Sequence, residues 1–302
     1  MNDGAEMLFL AAEDAPAEGV IRAAGGAAAV WAAPRPGGGR SEDALLALPL
    51  GADSAVLAVA DGIGGVPGGS AAATRAIRAL AAALEEGFAA GQSLQSAILE
   101  GIGRANDSVL SMGTGAATTL AVAELAGGRV RAYNVGDSEV MVFGQRGRLK
   151  LQTLSHSPVG FAVQAGLVNR EEALHHEDRH VVSNFVGSRD MRIEVGSALR
   201  LAAMDTVVVC SDGLVDNLRL AEISAIMRSG PLDQRLGQLA ESALRRMTTP
   251  SGAATPEHPS KPDDLSIIAF RLHPGRAVLR RLPPPRQMPL GDTPGAPEWS
   301  HA

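Results

Sequence analysis

Short apolar runs broken by glycine-rich punctuation fill the middle of the chain, and their period changes along it. Val56-Leu57-Ala58-Val59-Ala60 is continuously apolar and stops at Asp61, which predicts a buried strand. Gly62 to Gly69 is a glycine-dense loop, and a helix is expected from Ser70 to Glu86 with Ser70 as its N-cap. Leu94, Ile98 and Ile102 recur every four residues within a second helical segment, Ser93 to Met112, which Gly101 and Gly103 weaken. The period then shortens. Thr118–Leu125 and Val130–Val135 flank Gly127-Gly128, and Val140–Phe143 and Leu149–Leu151 flank Gly144 to Gly147, so two hairpins are predicted. A strand at Thr206–Cys210, helices at Ala221–Met227 and Leu232–Met247, and a last strand at Leu265–Leu272 complete the pattern. Upstream, Ile21 to Ala33 is expected to hold an edge strand before the loop Pro34-Arg35-Pro36-Gly37-Gly38-Gly39. Helices before and after consecutive hairpins predict an α+β layered domain with antiparallel pairing, not an alternating βαβ fold.

The domain is expected to span residues 21–273, after an N-terminal segment 1–20 and before a Pro-rich tail, 274–302, with little to bury. Composition narrows the chemistry. With 302 residues and 45% hydrophobic content the chain can bury a large core. Aromatic residues make up 3% and the net charge is −6, which argues against nucleic acid as a partner. A single cysteine, Cys210, excludes an internal disulfide framework and a multi-thiolate zinc site. The acidic first sixteen residues are unlike a signal peptide, and no apolar run is long enough to span a bilayer, so a cytoplasmic protein without membrane association is expected.

Candidate chemistry lies at strand ends. Asp61, Asp137 and Asp212 each sit at or just past an apolar strand, and Asp263 just precedes one. A sheet holds such carboxylates rigidly while letting them reach a cleft, which suits a hard divalent cation with oxygen ligands. Any one Asp-Gly pair, taken alone, is most often a turn.

The segments around these carboxylates carry more information. Glu42-Asp43-Ala44, Ala60-Asp61-Gly62-Ile63-Gly64-Gly65, Ala117-Thr118-Thr119-Leu120, Asn134-Val135-Gly136-Asp137-Ser138, Ser211-Asp212-Gly213-Leu214 and Asp263-Asp264-Leu265-Ser266 occur in that order. Together they resemble the metal-dependent protein serine/threonine phosphatases of the protein phosphatase 2C family, bacterial type. Leu154-Ser155-His156-Ser157, Ala165-Gly166-Leu167 and Glu171-Glu172-Ala173 resemble that family's flap, placed at about residues 156–185. The resemblance implies an α-β-β-α sandwich of two antiparallel sheets, with two Mn²⁺ or Mg²⁺ ions in the cleft between them. It implies that Asp61 bridges both ions, that Asp212 and Asp263 hold the first, and that the Gly62 carbonyl serves the second. Glu42 and Asp43 would act mostly through waters, and Asp137 matches the position of a possible third ion. Asp61, Asp212 and Asp263 would then be catalytic through a metal-bridging water that attacks phosphoserine or phosphothreonine. Phosphorylated proteins made by a serine/threonine kinase are the implied substrates in a signalling role, and a monomer is expected.

The sequence departs from the family at Gly38, where an Arg that grips phosphate is usual; Arg35 and Arg40 are the substitutes at hand. Ile63, Glu139 and Asp264 stand where His (in eukaryotic members), Arg and Asn are common. The missing Arg supports an alternative, a weakly active or inactive phosphoprotein-binding module on the same fold. A third reading is a hydrolase of small phosphate esters. His175, His176 and His180 cluster on the flap without a second ligand group, which favours a solvated helix end over zinc. Ser155-His156-Ser157 has triad residue types but not triad geometry.

Overall fold

The computed structural model describes residues 7–272 except 12, 64–67, 174–175, 179–180, 250–254 and 256–258. In chain order the elements are β1 (Leu8–Ala11), β2 (Ala17–Ala23), β3 (Gly26–Ala33), β4 (Ala44–Pro49) and β5 (Ser54–Ala60), then α1 (Gly69–Ala89) and α2 (Leu94–Leu110). Next come β6 (Leu120–Ala126), β7 (Arg129–Val135), β8 (Glu139–Phe143) and β9 (Leu149–Gln152), followed by the short helices α3 (Pro158–Gln164) and α4 (Arg170–Ala173). The chain continues through β10 (Glu194–Val195), β11 (Leu199–Arg200), β12 (Thr206–Cys210), α5 (Asp212–Val215), α6 (Leu220–Met227), α7 (Leu232–Met247) and β13 (Leu265–Leu272).

The strands form two antiparallel sheets. One has the order β1-β4-β5-β6-β7-β10, with β11 also on β7, and the other β2-β3-β13-β12-β8-β9. Three cores separate four layers. The first lies between α1, α2 and the first sheet, the second between the sheets, and the third between the second sheet and α5–α7. Strand β5 shows why its sequence is uniformly apolar. Val56, Ala58 and Ala60 face the helices while Leu57 and Val59 face the other sheet, so neither side meets water. This is the expected α-β-β-α sandwich.

Several boundaries differ from the sequence reading. Ile21–Ala33 is not one edge strand but part of the β2–β3 hairpin, and β3 lies inside its sheet, between β2 and β13. The turn is Ala24-Gly25, both with positive φ (47° and 71°). A tight hairpin requires that conformation, but Ala24 lacks the Asn or Asp that usually announces it. The sheets also start before residue 21: β1 pairs with β4 and the first half of β2 lies within the strand. Strand β4 was missed altogether. The N-cap of α1 is Gly68, left-handed at φ 107°, not Ser70, because the helix begins at Gly69. Ser93 caps α2, its Oγ accepting from the Ser96 N–H. Gly101 has a packing reason: a Cβ there would stand 2.7 Å from Leu80 Cδ1, so the glycine lets α1 and α2 approach closely. Cys210 is buried in β12, and burial pushes its thiol well above the ordinary range, away from reactivity. Gly64, Gly65, His175, His180 and the segment 273–302 lie outside the described residues.

Candidate active site

The candidate carboxylates come from both sheets and meet at one end of the sandwich. Glu42 and Asp43 lead into β4 and Asp61 leaves β5, all in the first sheet; Asp212 follows β12 and Asp263 precedes β13, in the second. Asp137 sits in the tight connection from β7 to β8, across from the first sheet to the second. Asp61 is held by its backbone. Its N–H donates to Thr119 Oγ1 (3.0 Å), its carbonyl accepts from Thr118 Oγ1 (2.7 Å), and Thr119 Oγ1 bonds Ser138 Oγ (2.6 Å). The two threonines therefore tie the Asp61 turn to the Asp137 turn. Gly136 is required there, since at φ 109° a Cβ would stand 2.7 Å from Thr119 Cβ.

Burial, reinforced by the crowding of like charge, governs the electrostatics. Burial, then the charges of Asp43, Asp212, Asp263 and Asp137, hold the Asp61 carboxyl well above the ordinary range. Asp43 is raised first by burial and then by Asp264, and Asp137 by burial, Asp212 and Asp216. Asp263 is pushed up to about 6 by burial and Asp212, against the pull of Lys261. These carboxylates bind protons in the folded protein at pH values where the unfolded chain has lost them. For Asp263, the stability carried by its proton is therefore present below about pH 4 and lost as the pH rises through about 6. Chelator-treated protein is expected to be less stable at pH 7 than at pH 5, by on the order of 1 kcal/mol or more, and so to melt at a lower temperature. The difference should shrink in Asp61→Asn and with saturating Mn²⁺; a thermal melt series across pH reads all three.

Three residues outside the sequence-based set complete the site. Asp264 is buried and bidentate: Oδ1 accepts from the Arg35 N–H (2.8 Å) and Oδ2 from the Glu42 N–H (2.7 Å). A carboxylate satisfies both donors with two acceptors, so Asp264, which looked like a departure from Asn, positions Glu42. Lys261 places its ammonium among Asp212 Oδ2 (2.5 Å), Asp216 Oδ2 (2.9 Å) and Asp263 Oδ2 (3.0 Å). No spacing signal in the sequence marked it. Burial alone would lower its pKa, but the three carboxylates together outweigh that and raise it. His156 ties the flap to the site. Its Nδ1 accepts from the Gly136 N–H (3.1 Å) and faces the Asn184 amide (2.8 Å), which leaves the proton on Nε2, 3.0 Å from Glu194 Oε2. Ser155 and Ser157 bond each other, and Ser157 caps α3, so the Ser-His-Ser run forms no triad.

The donor set fits a hard divalent ion. Oδ1 of Asp212 is buried with no hydrogen-bond partner, and the buried Asp43 carboxylate has only the Ser266 and Ser211 hydroxyls beside it, whose hydrogen bonding lowers its pKa against burial. Buried carboxylate oxygens without donors are costly unless a cation satisfies them. Among the described residues no three acidic, histidine or cysteine side chains already converge closely enough to hold a metal ion. Asp212, Asp216 and Asp263 converge on Lys261 instead. The two candidate arginines part company. Arg40 reaches toward Asp14 (3.8 Å) in solvent, whereas the charge of Arg35 acts on Glu42, partly offsetting the burial and the Asp264 charge that together raise its pKa. Gly38 makes room for Arg35, since a Cβ at position 38 would stand 2.3 Å from Arg35 Cγ. His176 accepts from the Asp178 N–H on the exposed flap.

Carboxylates from both sheets thus meet at one end of a four-layer α-β-β-α sandwich. The chain belongs to the protein phosphatase 2C family, whose model matches residues 35–247. That match ends before Asp263, which the structure brings into the cleft. The serine/threonine phosphatase stp of Listeria welshimeri is 28% identical over 183 residues, 58% of this chain and 72% of that protein. The serine/threonine protein phosphatase PstP of Mycobacterium tuberculosis is 30% identical over 202 residues, 64% of this chain but 38% of that protein. Among solved structures, the phosphatase MsPP of Mycobacterium smegmatis, in complex with cacodylate, superposes with a TM-score of 0.66 at 25% identity, over 82% of this chain and 98% of that one. The PstP catalytic domain in complex with two manganese ions superposes with a TM-score of 0.63 at 22% identity, over 81% and 96%.

Proposed function

We propose that the protein is a metal-dependent protein serine/threonine phosphatase that uses the cleft between the sheets. The observation that carries this reading is the buried Asp212 Oδ1 left without a donor in a cluster with Asp43, Asp61 and Asp263, in a member of this family. Asp61, Asp212 and Asp263 would hold divalent ions, with the Gly62 carbonyl, Glu42 and Asp43 on the first-sheet side and Asp137 at a possible third position. When bound, such ions neutralise phosphoryl oxygens and make water nucleophilic near neutral pH. The protein's own part is to keep the carboxylates aligned through Thr118, Thr119 and Asp264, and to present Arg35 to the substrate phosphate. A guanidinium suits that task through paired N–H donors. Manganese or magnesium, two ions in number, a cytoplasmic setting, a monomeric state and a signalling role opposite a serine/threonine kinase extend this reading by family analogy. Among the described residues no helix is long and apolar enough to cross a membrane.

Phosphate release from a phosphothreonine peptide, with Mn²⁺, with Mg²⁺ and with chelator, tests the function. Metal-dependent release is expected, and its absence in folded protein with either metal would favour a phosphoprotein-binding module. In the same assay Arg35→Met should raise KM about tenfold or more, the worth of a charge-assisted bond to phosphate. Arg40→Met should stay near wild type. Equal effects of the two substitutions would remove Arg35 from the phosphate site.

A further inference from the structure

Lys261 is an unusual neighbour for a metal site. Its ammonium donates a hydrogen bond to Asp212 Oδ2 and lies within ion-pair distance of Asp216 and Asp263, all three oxygens within 3.0 Å. The lysine is also held from behind. Asn217, fully buried at the end of α5, accepts from the Lys261 N–H at Oδ1 (2.8 Å) and donates from Nδ2 to the Lys261 carbonyl (2.8 Å). The same Nδ2 also donates to the Gly213 carbonyl (2.9 Å), so one amide ties the Lys261 peptide to the turn that carries Asp212. Ser260 adds a bond from its Oγ to the Arg246 carbonyl (2.9 Å). Such anchoring sets Lys261 apart from a mobile surface lysine. Asp263 Oδ1 meanwhile accepts from the Asp264 N–H (3.0 Å), so both of its oxygens are engaged.

We propose that Lys261 is a built-in cation of the metal centre, a tethered competitor for the divalent ion that Asp212 and Asp263 would share. This rests on the reading of the cleft as a metal site. An ammonium and a metal ion cannot both take Asp212 Oδ2 and Asp263 Oδ2 at contact distance, because like charges that close repel strongly in a partly buried site. Metal entry at that position must therefore push the ammonium out, and the affinity there is lowered by what its three ion pairs were worth. The unpartnered Oδ1 of Asp212 leaves a carboxylate oxygen for an ion with Lys261 still in place. The two positions are thus expected to differ in affinity. In metal-free protein Lys261 offsets the repulsion among the carboxylates, so the same residue that weakens metal binding stabilises the empty site.

Mn²⁺ binding to the full chain, by calorimetry and by the electron paramagnetic resonance of free Mn²⁺, tests this with wild type, Lys261→Met and Lys261→Arg. Lys261→Met is expected to bind its weaker ion about tenfold or more tighter than wild type, with a lower melting temperature in chelator. Lys261→Arg keeps the charge and should not gain affinity. Independently of any variant, reductive methylation read by mass spectrometry should find Lys261 protected in chelator and reactive at saturating Mn²⁺. If wild type binds Mn²⁺ and Lys261→Met binds it no tighter, the proposal fails. If Lys261→Met does not fold, unchanged methylation of wild-type Lys261 with and without Mn²⁺ overturns it. Absence of Mn²⁺ binding to wild type and variants alike would overturn the metal reading itself, and this inference with it.

Discussion

Asp61→Asn is expected to abolish metal-dependent phosphate release, by roughly 10³-fold or more, while leaving the metal-free fold at least as stable as wild type. The first half follows from what divalent ions contribute to phosphoryl chemistry, several kcal/mol of charge stabilisation, each 1.4 kcal/mol being about a factor of ten. The second half follows from the surroundings of Asp61, where burial and four other carboxylates disfavour its charge. An amide of the same shape removes that repulsion and keeps the backbone bonds to Thr118 and Thr119. Opposite signs in activity and stability separate a lost ligand from a damaged fold. Phosphate release together with a chelator-state melt decides it, and a variant that keeps Mn²⁺-dependent turnover would remove Asp61 from the site.

Gly62→Ala should be nearly as damaging by a different route. A Cβ on Gly62 would stand 2.4 Å from the Gly69 carbonyl carbon, 2.5 Å from its oxygen and 2.9 Å from the Glu42 carbonyl oxygen. All three are backbone atoms, so neither the start of α1 nor the strand leading from Glu42 can yield without moving. The Gly62 N–H, which donates to that Glu42 carbonyl at 3.2 Å, would be displaced as well. Overpacking of this kind costs about 1–3 kcal/mol. Because the displaced groups carry the site, activity should fall tenfold or more, on the order expected for a misplacement of about 1 Å. Gly103→Ala is the control. It lies in α2 with open space around it, and should be neutral or stabilising by about 0.5–1 kcal/mol. Equal melts and rates for the two variants would show that the Gly62 contact is not limiting.

The candidate site was legible to the extent that its residues sit in short, locally ordered segments. A strand that ends in Asp-Gly and a helix that follows are local events, and Asp61, Asp137, Asp212 and Asp263 were found that way. The hairpins from Thr118 to Leu151 were legible for the same reason, since paired glycines and period-two alternation act over a few residues. The β2–β3 turn was not, because Ala24 adopts a left-handed conformation for which its own chemistry gives no sign. Strand β4 escaped because Ala44 to Pro49 is built of Ala and Leu with no β-branched residue and ends in Pro, so its own propensities do not favour a strand. Asp264 was read as an unexplained departure, and its reason, two backbone donors 229 and 222 residues away, is invisible along the chain.

The sequence by itself determined the central run of helices and hairpins, the layered α+β class, and which carboxylates stand at strand ends, since all of these depend on interactions among near neighbours. Only the tertiary structure decided which charges share one cleft. It turned Arg40 outward to Asp14 and kept Arg35 within reach of Glu42, set Asp264 under the Glu42 strand, and delivered Lys261 to Asp212 across 49 residues of chain. Electrostatic and hydrogen-bond energies depend on distance in space, and antiparallel pairing brings residues far apart in sequence to within 3 Å at the sheet ends.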